Sequence, residues 1–395
     1  MSTVRISAWG AGLLLLFVIA YFASDWRYWY RYVMMTESND APAKTGWYRS
    51  LEMIQGDEVL PLVVAIPSNR TISGVALEKA QNYAESLQSF AFLVSHRGVL
   101  QLEFYGDGFG PNYVFDSQSM HKGLLGIVFG LAVDNGFITD LDASASIYLS
   151  EWADDARRDI TVRHLLAMQS GLVSLEFEMK PFNPALGLFI NTDVYDLVFS
   201  VPTARPPGGE YDFNHINSQV LHWVLTRATG MRYAEFLSKY LWVPIGGNFG
   251  AVRLDRPGGT ARTMCCFQTT ARDWIRVGHL IVNDGLVGET QVLSKEWIAE
   301  LISGTNLNSH FGFHVWTANR LSTERLISTR PQRKVTLSER YQADDVIFIE
   351  GRGGQRLYML PSKDLVIYRQ GMINYSWDDP KIVNTIVDGI YGGIE

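Results

Sequence analysis

Short β-type runs stand near both ends of the region after residue 60, and the segments between them read as helices. Phe90 to Tyr105 (FAFLVSHRGVLQLEFY) is two strand-like runs about a turn at His96-Arg97-Gly98, an antiparallel hairpin. Toward the C-terminus, residues 345–349, 355–360 and 364–370 are short β-type runs punctuated by glycine and Pro361-Ser362. Between them, Lys122 to Asn135 is apolar and long enough for a buried helix that stops before Gly136. Residues 161–171 and 217–230 also read as helices, each closed by a glycine. Strands at both ends with helices between imply an α+β fold: an antiparallel sheet flanked by helices, with a largely helical insertion over about residues 135–300. The chain has 395 residues, enough for one large catalytic unit or two modest ones, and 47% of them are apolar, which excludes wholesale disorder.

The N-terminus carries a different signal. Ile6 to Ala23 is eighteen residues without a charge, the length at which a run becomes a membrane-spanning candidate. It ends in Tyr21-Phe22-Ala23-Ser24, with a bulky residue where a cleavage site wants a small one. An interfacial aromatic series follows, Trp26, Tyr28, Trp29, Tyr30 and Tyr32. The expected organisation is an uncleaved single transmembrane helix within residues 1–24, a juxtamembrane linker over 25–60 and a catalytic domain over 61–395. Arg5 on one side and Arg27 and Arg31 on the other leave the charge rule undecided. A very short N-terminal tail ahead of one large domain favours an exported domain. A net charge of −7 argues against nucleic acid as a partner. The only two cysteines, Cys265 and Cys266, are adjacent, and neighbouring cysteines are not expected to pair.

Chemistry concentrates at Ser119-Met120-His121-Lys122, where a loop runs into the apolar helix. Residues three apart share a helix face, so Lys122 can reach Ser119. Burial lowers a lysine pKa, and a neutral lysine can take the serine proton. The helix N-terminus adds amide donors and positive potential. Of the nine lysines, only Lys122 has a serine three residues before it. His310 and His314 are spaced as on a zinc helix, but Phe311-Gly312-Phe313 between them reads as a strand. No metal or cofactor is expected.

The stretch from Phe90 to Gln370 resembles the class C β-lactamase-like serine hydrolases, which include D-alanyl-D-alanine peptidases, carboxylesterases and 6-aminohexanoate-dimer amidases. The pieces come in that family's order: the hairpin, Ser119-x-x-Lys122, Leu141-Asp142, His164-Leu165-Leu166, Ser170-Gly171-Leu172, Pro206-Pro207-Gly208, Thr229-Gly230, Thr270-Ala271-Arg272-Asp273 and Gly351-Arg352-Gly353-Gly354-Gln355. The last stretch and Met168-Gln169-Ser170-Gly171 are most similar to the 6-aminohexanoate-dimer hydrolase and esterase branch. The resemblance implies a β-lactamase/transpeptidase-like fold and an acyl-enzyme on Ser119, with a small-molecule or peptide amide or ester as substrate. It places Phe213-Asn214-His215 on the family's Tyr-x-Asn motif, so the proton-relaying hydroxyl is missing. Tyr211 is the candidate substitute, with a structural tyrosine as the alternative; His215 stands at the asparagine position, as an acid–base group or a satisfied histidine. The resemblance puts the Arg352 N–H, with Gly353 beside it, in the oxyanion hole with that of Ser119. The Arg352 side chain could then read a substrate carboxylate or make a surface ion pair. Phe213 also supports a second reading: a catalytically impaired binding or scaffold protein in a membrane assembly. Oligomeric state is not legible.

Overall fold

Hydrogen bonding sets the early hairpin beside the last strand. The computed structural model describes residues 25–38, 45–318, 321–329 and 332–391. The hairpin forms as β3 (Ser89–His96) and β4 (Val99–Tyr105). Arg97 and Gly98 close it with φ of 54° and 74°, the paired left-handed positions of a tight hairpin turn. On its other side β3 pairs with β15 (Leu365–Gly371). The full sheet runs β10 (Trp316–Thr317), β13 (Ile347–Gly351), β14 (Gln355–Leu360), β15, β3, β4 and β2 (Val63–Val64). Every pairing is antiparallel except that of the edge strand β2 with β4.

Both faces of this sheet are covered, and the strands show it by alternation. Ala91 and Leu93 of β3 enter one apolar core, while Phe92 and Val94 enter a second on the opposite face. On the first face lie α3 (Met120–Asp134) and α7 (Ala271–Val282). Gly278 brings α7 down onto the sheet, for a Cβ there would stand 2.4 Å from Val366 Cγ1. On the second face lie α2 (Gly74–Ser86) and α8 (Asp379–Val387).

A four-stranded antiparallel sheet, in the order β1 (Leu51–Gln55), β6 (Phe249–Arg253), β7 (Gln268–Thr270) and β5 (Val114–Asp116), stands at the head of α3 and α7. Two small hairpins, β8–β9 (286–291) and β11 (Glu324–Thr329) with β12 (Gln332–Thr336), complete the strands among the described residues. The helical insertion holds α4 (Val162–Leu166), α5 (Pro184–Ile190) and α6 (His215–Thr229). It ends before β6, earlier than the expected boundary near 300, because β6, β7 and α7 return to the sheets.

Three further expectations need correction. The helix expected over 161–171 stops at Leu166, and Met168 takes φ 58°. There the chain turns to pair with the 204–212 loop, through Gly208 N–H to Gln169 O at 2.8 Å and Asp212 N–H to Met168 O at 2.9 Å. The helix expected from Asn217 begins at His215, because the Asn214 side chain accepts from Ile216 N–H at 3.0 Å; Gly230 ends it at φ 69°. Residues 25–60 are no free linker. They form α1 (Trp26–Ser38) and β1, and Arg31 pins α1 to the body. Its guanidinium, only 4% exposed, donates to the carbonyls of Ile190, Asn191 and Asp255 at 3.2, 3.1 and 2.7 Å and to Ser50 Oγ at 3.1 Å.

The expected membrane segment, residues 6–23, lies outside the described residues. Among the described residues no helix is long and apolar enough to cross a membrane.

Candidate active site

The turn between β5 and α3 holds the candidate nucleophile. Gln118 sits in the left-handed region at φ 53°, a conformation that costs a non-glycine residue free energy and persists only when its neighbours hold it. They do so on both sides. Gln118 N–H donates to Asp116 Oδ1 at 2.8 Å, and Cys266 N–H donates to Gln118 O at 2.8 Å. Asp116 is itself fixed by a buried ion pair with Arg253 and by Gln370 Nε2 on its backbone carbonyl at 2.8 Å.

Ser119 then occupies the N-cap position of α3 without capping it. Its hydroxyl instead accepts from Lys122 Nζ at 3.1 Å. The helix beneath is buried for nearly its whole length, and glycines let its neighbours close in. A Cβ on Gly123 would stand 2.5 Å from Ile349 of β13, and one on Gly130 2.2 Å from Trp297. Lys122 is therefore 2% exposed. Its ammonium also donates to the Met264 carbonyl, and no carboxylate pairs with it among the described residues. Desolvation pulls its pKa from 10.5 to about 7.

A cavity of about 450 Å³ opens at Ser119. Phe213 and His215 line it, as do Glu350, Gly351 and Arg352 at the end of β13. Gly351 must be glycine, because a Cβ would lie 2.6 Å from Ser117 O; the strand end thus passes directly beside the nucleophile turn. Gln355 shapes the turn after β13, donating from Nε2 to the carbonyls of Arg352 and Gly353 at 3.1 and 3.3 Å. Arg352 is exposed at the cavity and donates from Nε to the Tyr375 hydroxyl at 3.1 Å.

Phe213 lies where the resemblance places the relay tyrosine, its ring centroid 5.6 Å from Lys122 Nζ and stacked on Trp316 at 5.8 Å. His215 opens α6 beside the rings of Phe189 and Phe213. Its Nδ1 is buried without a hydrogen-bond partner. Burial, then the Lys122 charge, hold its pKa well below the usual histidine value, so the ring is neutral.

Two expected site residues are not brought here. Tyr211 is 1% exposed, packs on Phe311 at 5.3 Å in the second core, and does not line the cavity. Its hydroxyl bonds to neither Ser119 nor Lys122. The i, i+2 argument assumed a regular strand, but residues 211–214 are irregular, and the Thr329 hydroxyl donates to the Tyr211 carbonyl. Gly353 is buried in the turn at φ 73°, with its carbonyl accepting from Arg369 Nη1 at 3.1 Å; it forms the turn and does not line the cavity.

Other residues at the cavity escaped the sequence. Cys265 and Cys266 form a disulfide in its wall, against expectation. Cys266 at φ 72° folds the chain back so that adjacent sulfurs meet. Their segment also holds the dyad: the Cys265 carbonyl meets His121 Nδ1 at 2.9 Å, beside the Met264 carbonyl that takes Lys122. Met35 and Trp47 reach the cavity from the N-terminal segment. No local pattern pairs such positions with Ser119.

A mostly antiparallel sheet with helices on both faces, and a serine heading a buried helix, is the architecture of the β-lactamase-like serine hydrolases. Residues 75–369 match the family model described as Beta-lactamase, and the chain belongs to that family. It is 28% identical over 308 residues to the 6-aminohexanoate-dimer hydrolase of Paenarthrobacter ureafaciens, covering 73% of each chain. Two solved structures show the same fold. One, assigned as a 6-aminohexanoate-dimer hydrolase from Bacillus anthracis, superposes with a TM-score of 0.67 at 17% identity, over 89% of this chain and 92% of that one. The other, a penicillin-binding-protein homologue from Caulobacter crescentus, gives 0.62 at 14% identity, over 85% and 98%.

Proposed function

We propose that this serine hydrolase is membrane-anchored through residues 6–23 and cleaves an ester or amide through an acyl-enzyme on Ser119, with Lys122 as general base. The observation that carries the Ser119–Lys122 chemistry is a buried lysine with no carboxylate partner among the described residues, 3.1 Å from the serine hydroxyl and with its pKa near 7. Neutral Lys122 takes the Ser119 proton as Oγ attacks the substrate carbonyl carbon. The oxyanion that forms faces the N–H groups of Ser119 and Arg352. As the tetrahedral intermediate collapses, Lys122 returns the proton to the leaving alcohol or amine. Water then repeats the sequence and releases the acid.

Short esters and amides precede β-lactams as substrates. The family's Lys-Thr-Gly lysine, which helps hold a β-lactam carboxylate, has no counterpart at Ile349-Glu350-Gly351, though Arg352 could read a carboxylate elsewhere on a substrate. Turnover of p-nitrophenyl butyrate by the wild type, absent in Ser119→Ala, is the expected result; faster turnover of a cephalosporin contradicts this preference. The competing scaffold reading draws on Phe213, which leaves no hydroxyl at the relay position. It predicts equally negligible rates for wild type and Ser119→Ala. The uncharged run supports an uncleaved anchor, and the proposed orientation has the domain exported; a mature chain beginning at Ser24 or later would show a cleaved signal instead.

A further inference from the structure

Apolar side chains share the wall of the cavity at Ser119 with the charged groups of Asp116, Arg253, Arg333, Glu350 and Arg352, and part of the apolar wall comes from the helix just after the proposed anchor. Met35 lies on α1 and Trp47 follows in the chain; Phe177, Phe189, Phe213 and Trp316 supply much of the remaining apolar wall. Met35 is nine residues along α1 from Trp26, about 14 Å at 1.5 Å per residue. α1 starts three residues after Ala23, the end of the uncharged run. The cavity therefore opens within roughly a helix length of where that run ends.

The surface around this wall is aromatic and wet. Trp26 is 55% exposed, Phe182 62% and Phe177 44%. Phe182 stacks on Tyr28 of α1 at 5.4 Å and meets Trp29 edge-on at 5.6 Å. Phe177 packs against Phe189 of α5 at 5.7 Å, and both rings line the cavity. Tyr28 and Trp29 share one apolar cluster with Met35 and Phe189, so apolar side chains link α1 to the substrate cavity. Contiguous exposed apolar surface marks a binding or membrane face, and aromatic rings favour the headgroup level of a bilayer. The docking of α1 by Arg31 fixes this face relative to Ser119.

We infer that the natural substrate is a membrane amphiphile: an acyl ester or amide whose hydrocarbon chain passes from the bilayer surface along Phe177, Phe189 and Met35, with its carbonyl at Ser119. This rests on the anchored-hydrolase reading and names the substrate class of that site. A small polar substrate would leave the apolar wall wetted, whereas each buried methylene contributes about 0.8 kcal/mol.

The test uses the full chain in phosphatidylcholine vesicles with p-nitrophenyl acetate and p-nitrophenyl octanoate. The octanoate-to-acetate ratio of kcat/KM should be at least about 100 in the wild type, well within what six added methylenes can supply. It should fall at least about tenfold in Met35→Glu and in Phe177→Ser. Taking the ratio within each protein cancels differences in folded fraction. A doubly acylated fluorogenic ester that does not exchange between vesicles should be cleaved faster in the enzyme's own vesicles than in separate ones. A flat ratio, or variants that leave it unchanged, overturns the acyl-chain assignment; equal cleavage in both vesicle populations overturns the bilayer route. If Ser119 still takes a fluorophosphonate in those cases, the hydrolase reading stands and only this inference falls. No adduct and no turnover of either ester removes both.

Discussion

Lys122→Met sharply lowers turnover and makes the protein more stable near pH 6. The loss of a positioned general base costs about 10²–10⁴-fold in rate. The gain in stability comes from the sign of the pKa shift. The folded value, about 7, lies below the ordinary 10.5 of an unfolded chain. The folded state therefore binds fewer protons than the unfolded state between those limits, and wild-type stability rises with pH across that window. Below about pH 7 both states carry the proton, and the wild type bears the full cost of a buried ammonium. At about 1.36 kcal/mol per unit, that cost is on the order of 5 kcal/mol. Methionine fills a similar volume without the charge, though it leaves the Met264 carbonyl without its donor, at about 1–3 kcal/mol. The net gain is therefore a few kcal/mol at most near pH 6, and it shrinks toward pH 10. Denaturant midpoints at pH 6 and pH 9 check it; a variant less stable at pH 6, or an advantage that grows with pH, contradicts the account of Lys122.

Phe213→Tyr raises amide turnover by about 10²-fold or more, the range for a correctly placed acid–base group. The ring already borders the cavity with its centroid 5.6 Å from Lys122 Nζ. A hydroxyl added there gives the leaving nitrogen a second proton source. Esters with a good leaving group need little protonation, so p-nitrophenyl butyrate changes far less than a p-nitroanilide. An equal change in both substrates, or none in either, shows that the proton relay is not what this position lacks.

Legibility tracked the range of the interactions. The hairpin, the last strands and the buried helix were readable because their signals are local: turn residues, period-two alternation and a glycine stop. The Ser119–Lys122 contact was readable for the same reason, since one helical turn sets it. Tyr211 failed because side-chain direction in the irregular 211–214 segment is set by packing on Phe311, which no local period encodes. The helix expected to reach Gly171 failed similarly, its last turn given up to bonds with the 204–212 loop. The Asp116–Arg253 pair and the approach of Met35 join distant parts of the chain, so spacing says nothing of them. The Cys265–Cys266 disulfide depends on one left-handed residue, which sequence gives no reason to expect at a cysteine.

The central claim is that a neutral lysine activates Ser119 near pH 7. The most direct measurement is the rate at which a fluorophosphonate acylates the full-length protein as a function of pH, with the adduct located by peptide mass spectrometry. The account predicts a single adduct on Ser119 whose rate rises with pH to half its maximum near 7, as Lys122 loses its proton. No adduct on Ser119, or a rate that keeps climbing toward about pH 10 as with an ordinary lysine, contradicts it.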